Sequence, residues 1–251
     1  MTEASTAKTP AIKTKERIIV ALDVETPDAA REIVSDVGNS VGAFKVGLQL
    51  FTAAGPGFVR ELTAEGHKVF LDLKFHDIPN TVAAASVEAA RLGVWMFNVH
   101  ASGGNEMMSK SSDAVREFCE REGRDKPLMI GVTLLTSSNS DTLRDLGVDT
   151  PVEEYVVKLS RDAAASGLDG VVASPMEAAA IRRSIDVDNF IIVTPGIRPN
   201  NETSDDQKRV TTPAEALAAG SEYLVIGRPI TSAPDRQTAV QKIIEEIDQT
   251  K

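Results

Sequence analysis

Short apolar segments alternate strictly with helical segments from residue 17 onward, and this pattern restricts the fold more than any other feature of the chain. Each apolar segment is rich in β-branched residues, which predicts a buried strand. Strands separated by helices pair in parallel through crossover connections, and eight such units close a (β/α)8 barrel. The predicted strands cover residues 18–22, 43–47, 69–74, 95–100, 129–134, 170–174, 190–194 and 223–227.

The segments between the strands carry helix start and stop signals. Thr26-Pro27 and Thr212-Pro213 place a capping hydroxyl before a proline at the first helical position. Glycines predicted to stop helices are Gly38, Gly66, Gly93, Gly123, Gly167 and Gly220. The predicted helices cover 27–37, 56–65, 80–92, 105–122, 152–166, 176–185, 213–219 and 235–248. An open doubly wound sheet fits less well, because no Gly-x-Gly-x-x-Gly follows the first strand.

Composition sets limits on compartment and partners. The net charge of −10 argues against binding of a nucleic-acid polymer, which requires a basic face. The single cysteine, Cys119, excludes an internal disulfide and fits a reducing compartment, so we expect a cytoplasmic protein. Apolar runs are far shorter than a membrane span. We predict a flexible tail over residues 1–16, a cleaved presequence being the weaker interpretation, and one barrel domain over 17–251.

Charged residues fall at the carboxyl ends of the predicted strands, where (β/α)8 barrels place their active sites. Asp23 follows the first strand, and Lys45 lies near the end of the second. Asp72 and Lys74 lie at the end of the third strand, on one face, about 7 Å apart along the backbone. Four charges on three adjacent strands predict a polar site at this end of the barrel.

The Asp72 and Lys74 pair also has a purely structural interpretation. Phe70 shares its parity, so the pair is predicted to face the lumen, where each ion costs several kcal/mol unless it is paired. A buried salt bridge that fixes strand register would meet that condition. One stabilising bridge does not require Lys45 and Asp23 as well, so the four charges together favour a functional site.

The segments after the seventh and eighth strands predict a phosphate site. Gly196 and Gly227 allow close approach of the backbone to a ligand, and Arg198 and Arg228 supply charged donors. In (β/α)8 barrels this position commonly holds phosphate beside a short helix. The long polar loop over 198–207 is predicted to act as a lid. The expected ligand is a small phosphorylated anion.

These motifs resemble the orotidine 5′-phosphate decarboxylase family over about residues 17–245. Asp72-x-Lys74-x-x-Asp77 alone is shared with sugar-phosphate lyases of the same superfamily, whereas HDIPNT, PGIRP and GRPI together are specific. The motifs are ALD ending in Asp23, FKVG containing Lys45, LDLKFHDIPNT at 71–81, LTS at 135–137, PGIRP at 195–199 and IGRPI at 226–230.

The resemblance implies a barrel without metal or cofactor, usually a homodimer, that converts orotidine monophosphate to uridine monophosphate in pyrimidine synthesis. It implies that Lys74 donates a proton to C6, that Asp72 lies against the departing carboxylate and that Lys45 holds the charge chain and a ribose hydroxyl. Asp77 would reach the partner's site. The implied binding residues are Asp23 and Thr81 for ribose or the interface, Thr136 for the pyrimidine, Gln207 for base and phosphate, and Gly227, Arg228 and Arg198 for phosphate.

Two other hypotheses remain at this point. A magnesium-dependent lyase of the superfamily would carry a metal-binding acid at the end of the second strand, where this chain has Lys45, and a cation there repels Mg²⁺. A non-catalytic barrel that binds phosphorylated metabolites would have no need to bury both Asp72 and Lys74.

Overall fold

Eight parallel strands pair in sequence order, and the last strand pairs back onto the first, so the sheet closes into a barrel. The computed structural model describes residues 12–199 and 211–250. The (β/α)8 prediction is confirmed, and each predicted strand agrees with an observed one to within two residues at either end. The strands are β1 Ile18–Ala21, β2 Ala43–Gly47, β3 Val69–Phe75, β4 Met96–His100, β5 Leu128–Val132, β6 Gly170–Val172, β7 Ile191–Thr194 and β8 Tyr223–Ile226.

Helices cover the outside of the barrel. Those of the described ranges are α1 Pro27–Val37, α2 Leu48–Ala64, α3 Pro79–Arg91, α4 Asn105–Glu122, α5 Ser140–Asp145, α6 Val152–Ala165, α7 Pro175–Ser184, α8 Pro213–Ala218, α9 Arg228–Thr231 and α10 Arg236–Asp248. The sequence analysis missed α5 and α9, because one or two turns are too short to show a periodic apolar face. It also missed the first part of α2, which breaks at Gly55 with φ 68°.

Both threonine caps are present. The Thr26 hydroxyl accepts a hydrogen bond from the amide of Ala29, and Thr212 forms a reciprocal capping box with Glu215 at the start of α8. Five of the six predicted glycine stops have positive φ, as that role requires. Gly38 is the exception, since its φ of −54° is right-handed. Its lack of a Cβ matters instead for space, because a Cβ there would lie 2.7 Å from the carbonyl oxygen of Val34.

The alternation of side chains divides the apolar core into two parts. A larger part lies between the strands and the helices, and a smaller part fills the lumen. At the amino end of the lumen, the rings of Trp95 and Tyr223 meet edge to face at 5.1 Å. Buried residues of the lumen are Ile19, Ala21, Ala43, Phe70, Met96, Ile130, Ile191, Val193 and Val225. Because these apolar side chains fill the lumen, the polar side chains that face it lie at the carboxyl ends of the strands.

The folded body begins before residue 17, where the sequence analysis placed its boundary. Thr14–Arg17 forms a 3-10 helix, and Thr14 is buried with its hydroxyl donating a 2.6 Å hydrogen bond to Asp248 of α10. Most of the predicted tail, residues 1–11, lies outside the described residues. Among the helices of the described ranges, none is both long and apolar enough to cross a membrane.

Candidate active site

Four charged side chains from three adjacent strands meet at the carboxyl end of the barrel. The ammonium of Lys45 lies 2.8 Å from Oδ1 of Asp23 and 3.4 Å from Oδ2 of Asp72. The ammonium of Lys74 lies 2.7 Å from Oδ1 of Asp72. The signs therefore alternate in the order Asp23, Lys45, Asp72, Lys74, and the structure brings together the four charged residues predicted at the ends of the first three strands.

Burial differs along this charge chain. The side chains of Lys45 and Asp72 are only 9% and 13% exposed, whereas those of Lys74 and Asp23 are 27% and 58% exposed. The inner pair is therefore held in the barrel wall. The outer ammonium, on Lys74, remains accessible to a ligand that enters the mouth.

Lys45 and Asp72 both stay ionised because attraction to oppositely charged neighbours exceeds the cost of burying each charge. Burial opposes the charged form of Asp72, but attraction to Lys45 and Lys74 and hydrogen bonds from Lys74 and Asn98 hold its pKa below the ordinary value of 3.8. Burial likewise opposes the charged form of Lys45, yet attraction to Asp72 and Asp23 raises its pKa above 10.5. Lys45 and Asp72 therefore form a fixed pair of opposite charges at neutral pH.

Lys74 has an unusual backbone conformation, with φ at 53° in the left-handed region. Here β3 departs from regular pairing, because Leu71 pairs with Phe97 and the next pair joins Phe75 to Val99. Three residues of β3 thus lie opposite one residue of β4. Simple alternation assigned Lys74 to the correct face, but the ammonium reaches Asp72 through this bulge and not from a regular strand.

Asn98 is the residue opposite the bulge, and sequence analysis missed it. Its side chain donates a 2.7 Å hydrogen bond to Oδ1 of Asp72 and accepts one of 2.8 Å from the backbone N–H of Lys74. Asn98 is 1% exposed. The sequence did contain an indication of this role. Asn98 lies two residues after Met96, so it faces the lumen as Met96 does, and it is a polar residue in an apolar strand.

Asp77 and Thr81 lie outside this cluster. Asp77 is exposed beyond β3, and its carboxylate accepts a 2.6 Å hydrogen bond from the amide of Ile78 at the start of α3. Within residues 12–199 and 211–250, Asp77 forms no ion pair with Lys45 or Lys74 of its own chain. Thr81 is exposed in the first turn of α3.

The ends of β7 and β8 are neighbours, as a shared phosphate site requires. Thr194 pairs with Leu224, and Gly227 then caps α9, with Arg228 exposed as its first residue. Arg198 differs from Arg228, because Arg198 is only 8% exposed and its Nη1 donates a 3.0 Å hydrogen bond to the carbonyl of Ile197.

Of the two predicted contacts with the base, the structure describes only Thr136. Thr136 is half-buried in the connection between β5 and α5. Gln207 lies outside the described residues, as does the predicted lid from residue 200 onward.

The barrel and the charge array at its mouth define the class of protein, a (β/α)8-barrel enzyme. The family model described as orotidine 5′-phosphate decarboxylase / HUMPS family matches residues 16–243, and the chain belongs to that family. An orotidine 5′-phosphate decarboxylase of Syntrophotalea carbinolica is 54% identical over 94% of this chain and 96% of the relative. One of Geobacter sulfurreducens is 53% identical over 93% and 96%. The crystal structure of orotidine 5′-phosphate decarboxylase from Lactobacillus acidophilus superposes with a TM-score of 0.81, at 39% identity over 92% and 98%.

Proposed function

We propose that this enzyme decarboxylates orotidine 5′-monophosphate to uridine 5′-monophosphate, the last step of pyrimidine nucleotide synthesis, in the cytoplasm. The observation that carries the proposal is the alternating array in which Asp72 pairs with both Lys45 and Lys74. Relatives that share more than half of their residues with this chain bear the name of that activity.

In the proposed reaction the bond between C6 and the carboxylate breaks, carbon dioxide leaves and the electron pair stays on C6. The ammonium of Lys74 then gives its proton to C6 and is reprotonated by solvent. A fixed cation accelerates such a step only if it stabilises the transition state more than the bound substrate. Lys74 meets that condition, because negative charge grows on C6 as the carboxylate departs.

Asp72 serves two purposes in this proposal. Its carboxylate holds the Lys74 ammonium at 2.7 Å, which limits the positions that the proton donor can adopt. Its low pKa keeps it anionic beside the substrate carboxylate, so that like-charge repulsion is relieved when carbon dioxide leaves. Lys45 neutralises the other oxygen of Asp72 and contacts a ribose hydroxyl in this proposal, while Asp23 and Thr81 serve as ribose or interface contacts.

We propose further that the enzyme is a homodimer whose sites are completed across the interface by Asp77. Two observations support this assignment. The Asp77 carboxylate lies on the exposed rim of the barrel and not in its own chain's charge array. Its neighbour Ile78 is 66% exposed, and Leu48 after β2 is 57% exposed, which gives this rim an apolar surface of the kind that subunit contacts cover.

Mixing two inactive variants tests the shared site. Lys74→Ala and Asp77→Ala dimers should each lack turnover. A heterodimer contains one site with both residues intact, so an equilibrated equal mixture should regain about a quarter of wild-type activity. Steady-state assays of the mixture against the separate variants give the measurement. If no activity returns although mass spectrometry detects heterodimers, Asp77 does not act across the interface.

The phosphate is proposed to bind at the ends of β7 and β8. Arg228 is the main anchor, with Gly227 allowing close approach and Arg198 assisting, while Thr136 contacts the base and Gln207 bridges base and phosphate. The phosphate is remote from C6 and takes no part in bond breaking. Its binding energy can therefore be used to organise the site. The net charge of −10 means that attraction of the anion depends on this local cluster.

Replacing Arg228 by alanine should weaken substrate and product alike. The expected loss is about 1–3 kcal/mol for a hydrogen bond to a charged group, with kcat reduced less than kcat/KM. Titration calorimetry with uridine monophosphate measures the effect, and Arg116→Ala, which removes an exposed pair with Asp113 on α4, is the control. Equal product affinity in Arg228→Ala and wild type would remove Arg228 from the phosphate site.

The test of the overall activity is the absorbance change of orotidine monophosphate with purified enzyme in excess EDTA. Undiminished turnover is expected. Loss of activity on chelation would favour a magnesium-dependent lyase of the superfamily. Lys45 argues against that alternative, because its ammonium occupies the space between the carboxylates of Asp23 and Asp72 that a divalent cation would require. Binding of nucleotide without turnover would favour a non-catalytic phosphate-binding barrel.

A further inference from the structure

We infer that Asn98 is a positioning residue for this reaction, one that sets the proton donor Lys74 and the carboxylate of Asp72 through a single side-chain amide. The inference rests on the roles proposed above for Lys74 and Asp72. It concerns a residue that contacts neither C6 nor the phosphate in the proposed mechanism, and that acts through the two residues it binds.

The bulge in β3 creates the requirement for such a residue. Residues 72–74 lie opposite Asn98 alone, so the backbone of Lys74 has no ordinary ladder partner on β4. A buried N–H without a partner is strongly disfavoured. The side-chain oxygen of Asn98 replaces the missing backbone acceptor at 2.8 Å.

The two partners permit one orientation of the Asn98 amide. An N–H of the main chain requires the oxygen, and an ionised carboxylate requires the nitrogen, which is 2.7 Å from Asp72. Aspartate would lack the donor, leucine would lack both groups, and serine would offer a single atom in place of two. Asparagine is the side chain that joins these partners across one bulge.

The hydrogen bond to Asn98 matters because the backbone of Lys74 is strained. A left-handed φ of 53° is disfavoured for lysine, because its Cβ crowds the backbone. Without Asn98, the peptide can relax toward the extended conformation, and this rotation would move the Lys74 ammonium away from C6. Displacements of about 1 Å cost on the order of 100-fold in rate.

Several titratable groups surround this amide. Lys45 from β2 lies 3.4 Å from the carboxylate that Asn98 binds, and Lys74 lies 2.7 Å from it. On β4 itself, His100 follows two residues later, and its ring stands 5.5 Å from the ring of His76. An anion introduced at position 98 would therefore oppose Asp72 directly and compete with it for the two lysines.

The first test compares Asn98→Ala with wild type in steady-state assays with orotidine monophosphate. We expect kcat to fall by about 100-fold with KM nearly unchanged, because the proton donor and not the phosphate site is misplaced. Ile130→Val is the matched control, since Ile130 pairs with Asn98 in register and faces the same lumen. It should unfold more readily and keep its kcat. Equal kcat in Asn98→Ala and wild type would overturn the inference.

Asn98→Asp gives a signature that packing damage cannot produce. A protonated aspartic acid offers one donor and one acceptor, as asparagine does, whereas its anion repels Asp72. The ratio of variant to wild-type kcat should therefore rise as the pH falls from about 8 to about 5.5, through the pKa of the introduced carboxyl. A ratio that stays low although infrared spectroscopy shows the introduced carboxyl taking up its proton would show that position 98 has only a structural role.

A binding measurement separates this inference from the proposed activity. 6-Hydroxyuridine monophosphate carries an oxyanion at C6 and so reports on the Lys74 ammonium, whereas uridine monophosphate reports on the ribose and phosphate contacts. Asn98→Ala should lose about 100-fold in affinity for the first and little for the second. Wild type without turnover would refute the proposed function. Unchanged affinity for both ligands would refute the role of Asn98 even in an active enzyme.

Discussion

Replacing Lys74 by alanine should reduce kcat by about 10⁴-fold or more while uridine monophosphate still binds with near wild-type affinity. The substitution removes both the cation beside C6 and the proton that C6 receives. It leaves Asp72 paired with Lys45, and it leaves the phosphate site at the ends of β7 and β8 untouched. Single-turnover kinetics and calorimetry with the product measure the two effects separately.

Lys126→Ala is the matched control for that variant. Lys126 also pairs with an aspartate, Asp169, at 2.8 Å, and its side chain is 33% exposed against 27% for Lys74. Asp169 precedes β6 at the amino end of the barrel, so the control removes a similar ion pair from the opposite end of the sheet. Turnover should persist in the control. Comparable turnover in Lys74→Ala would contradict its role as proton donor.

Replacing Asp72 by asparagine should lower both stability and turnover. The amide removes one of the two carboxylates that balance the nearly buried ammonium of Lys45, and the loss of a partner from a buried pair costs up to about 3–5 kcal/mol. Turnover should fall by at least about 100-fold, because Lys74 loses the group that fixes its position. Urea unfolding and steady-state kinetics measure the two losses. Asp169→Asn, the control, should lose stability without losing kcat.

The stability difference between wild type and Asp72→Asn should also depend on pH. Because folding lowers the pKa of Asp72, its contribution is complete above the ordinary value of 3.8 and is lost as the pH falls through the lower folded value. Folding raises the pKa of Lys45, so its contribution is complete below 10.5 and is lost as the pH rises above it. A difference that stays constant in strong acid would contradict the ionised pair.

The sequence predicted the barrel well, because the features that determine it are local. Apolar runs, threonine caps and the glycine that follows α4 each specify their own element, and Gly123 has the expected left-handed φ of 62°. The charge cluster was predictable for a related reason. In a closed parallel barrel every strand end faces the same mouth, so Asp23, Lys45 and Asp72 must lie near one another once the fold is known.

Features that depend on pairing between strands were not predictable. The bulge opposite Asn98 arises from register between β3 and β4, which neither strand encodes alone. The burial of Arg198 depends likewise on how the segment after β7 packs, and its backbone N–H donates a 3.1 Å hydrogen bond to the carbonyl of Thr211, which precedes α8. The sequence pattern alone therefore did not reveal that Asn98 binds Asp72 and Lys74, or that Arg198 is buried.

A crystal structure of the enzyme with uridine monophosphate bound tests the central claim most directly. We expect one nucleotide to span the mouth, with its phosphate on Arg228 and with Nζ of Lys74 within about 3.5 Å of C6. Asp72 should remain bound to both lysines. A nucleotide whose C6 faces away from Lys74, or whose phosphate lies away from the ends of β7 and β8, would contradict it.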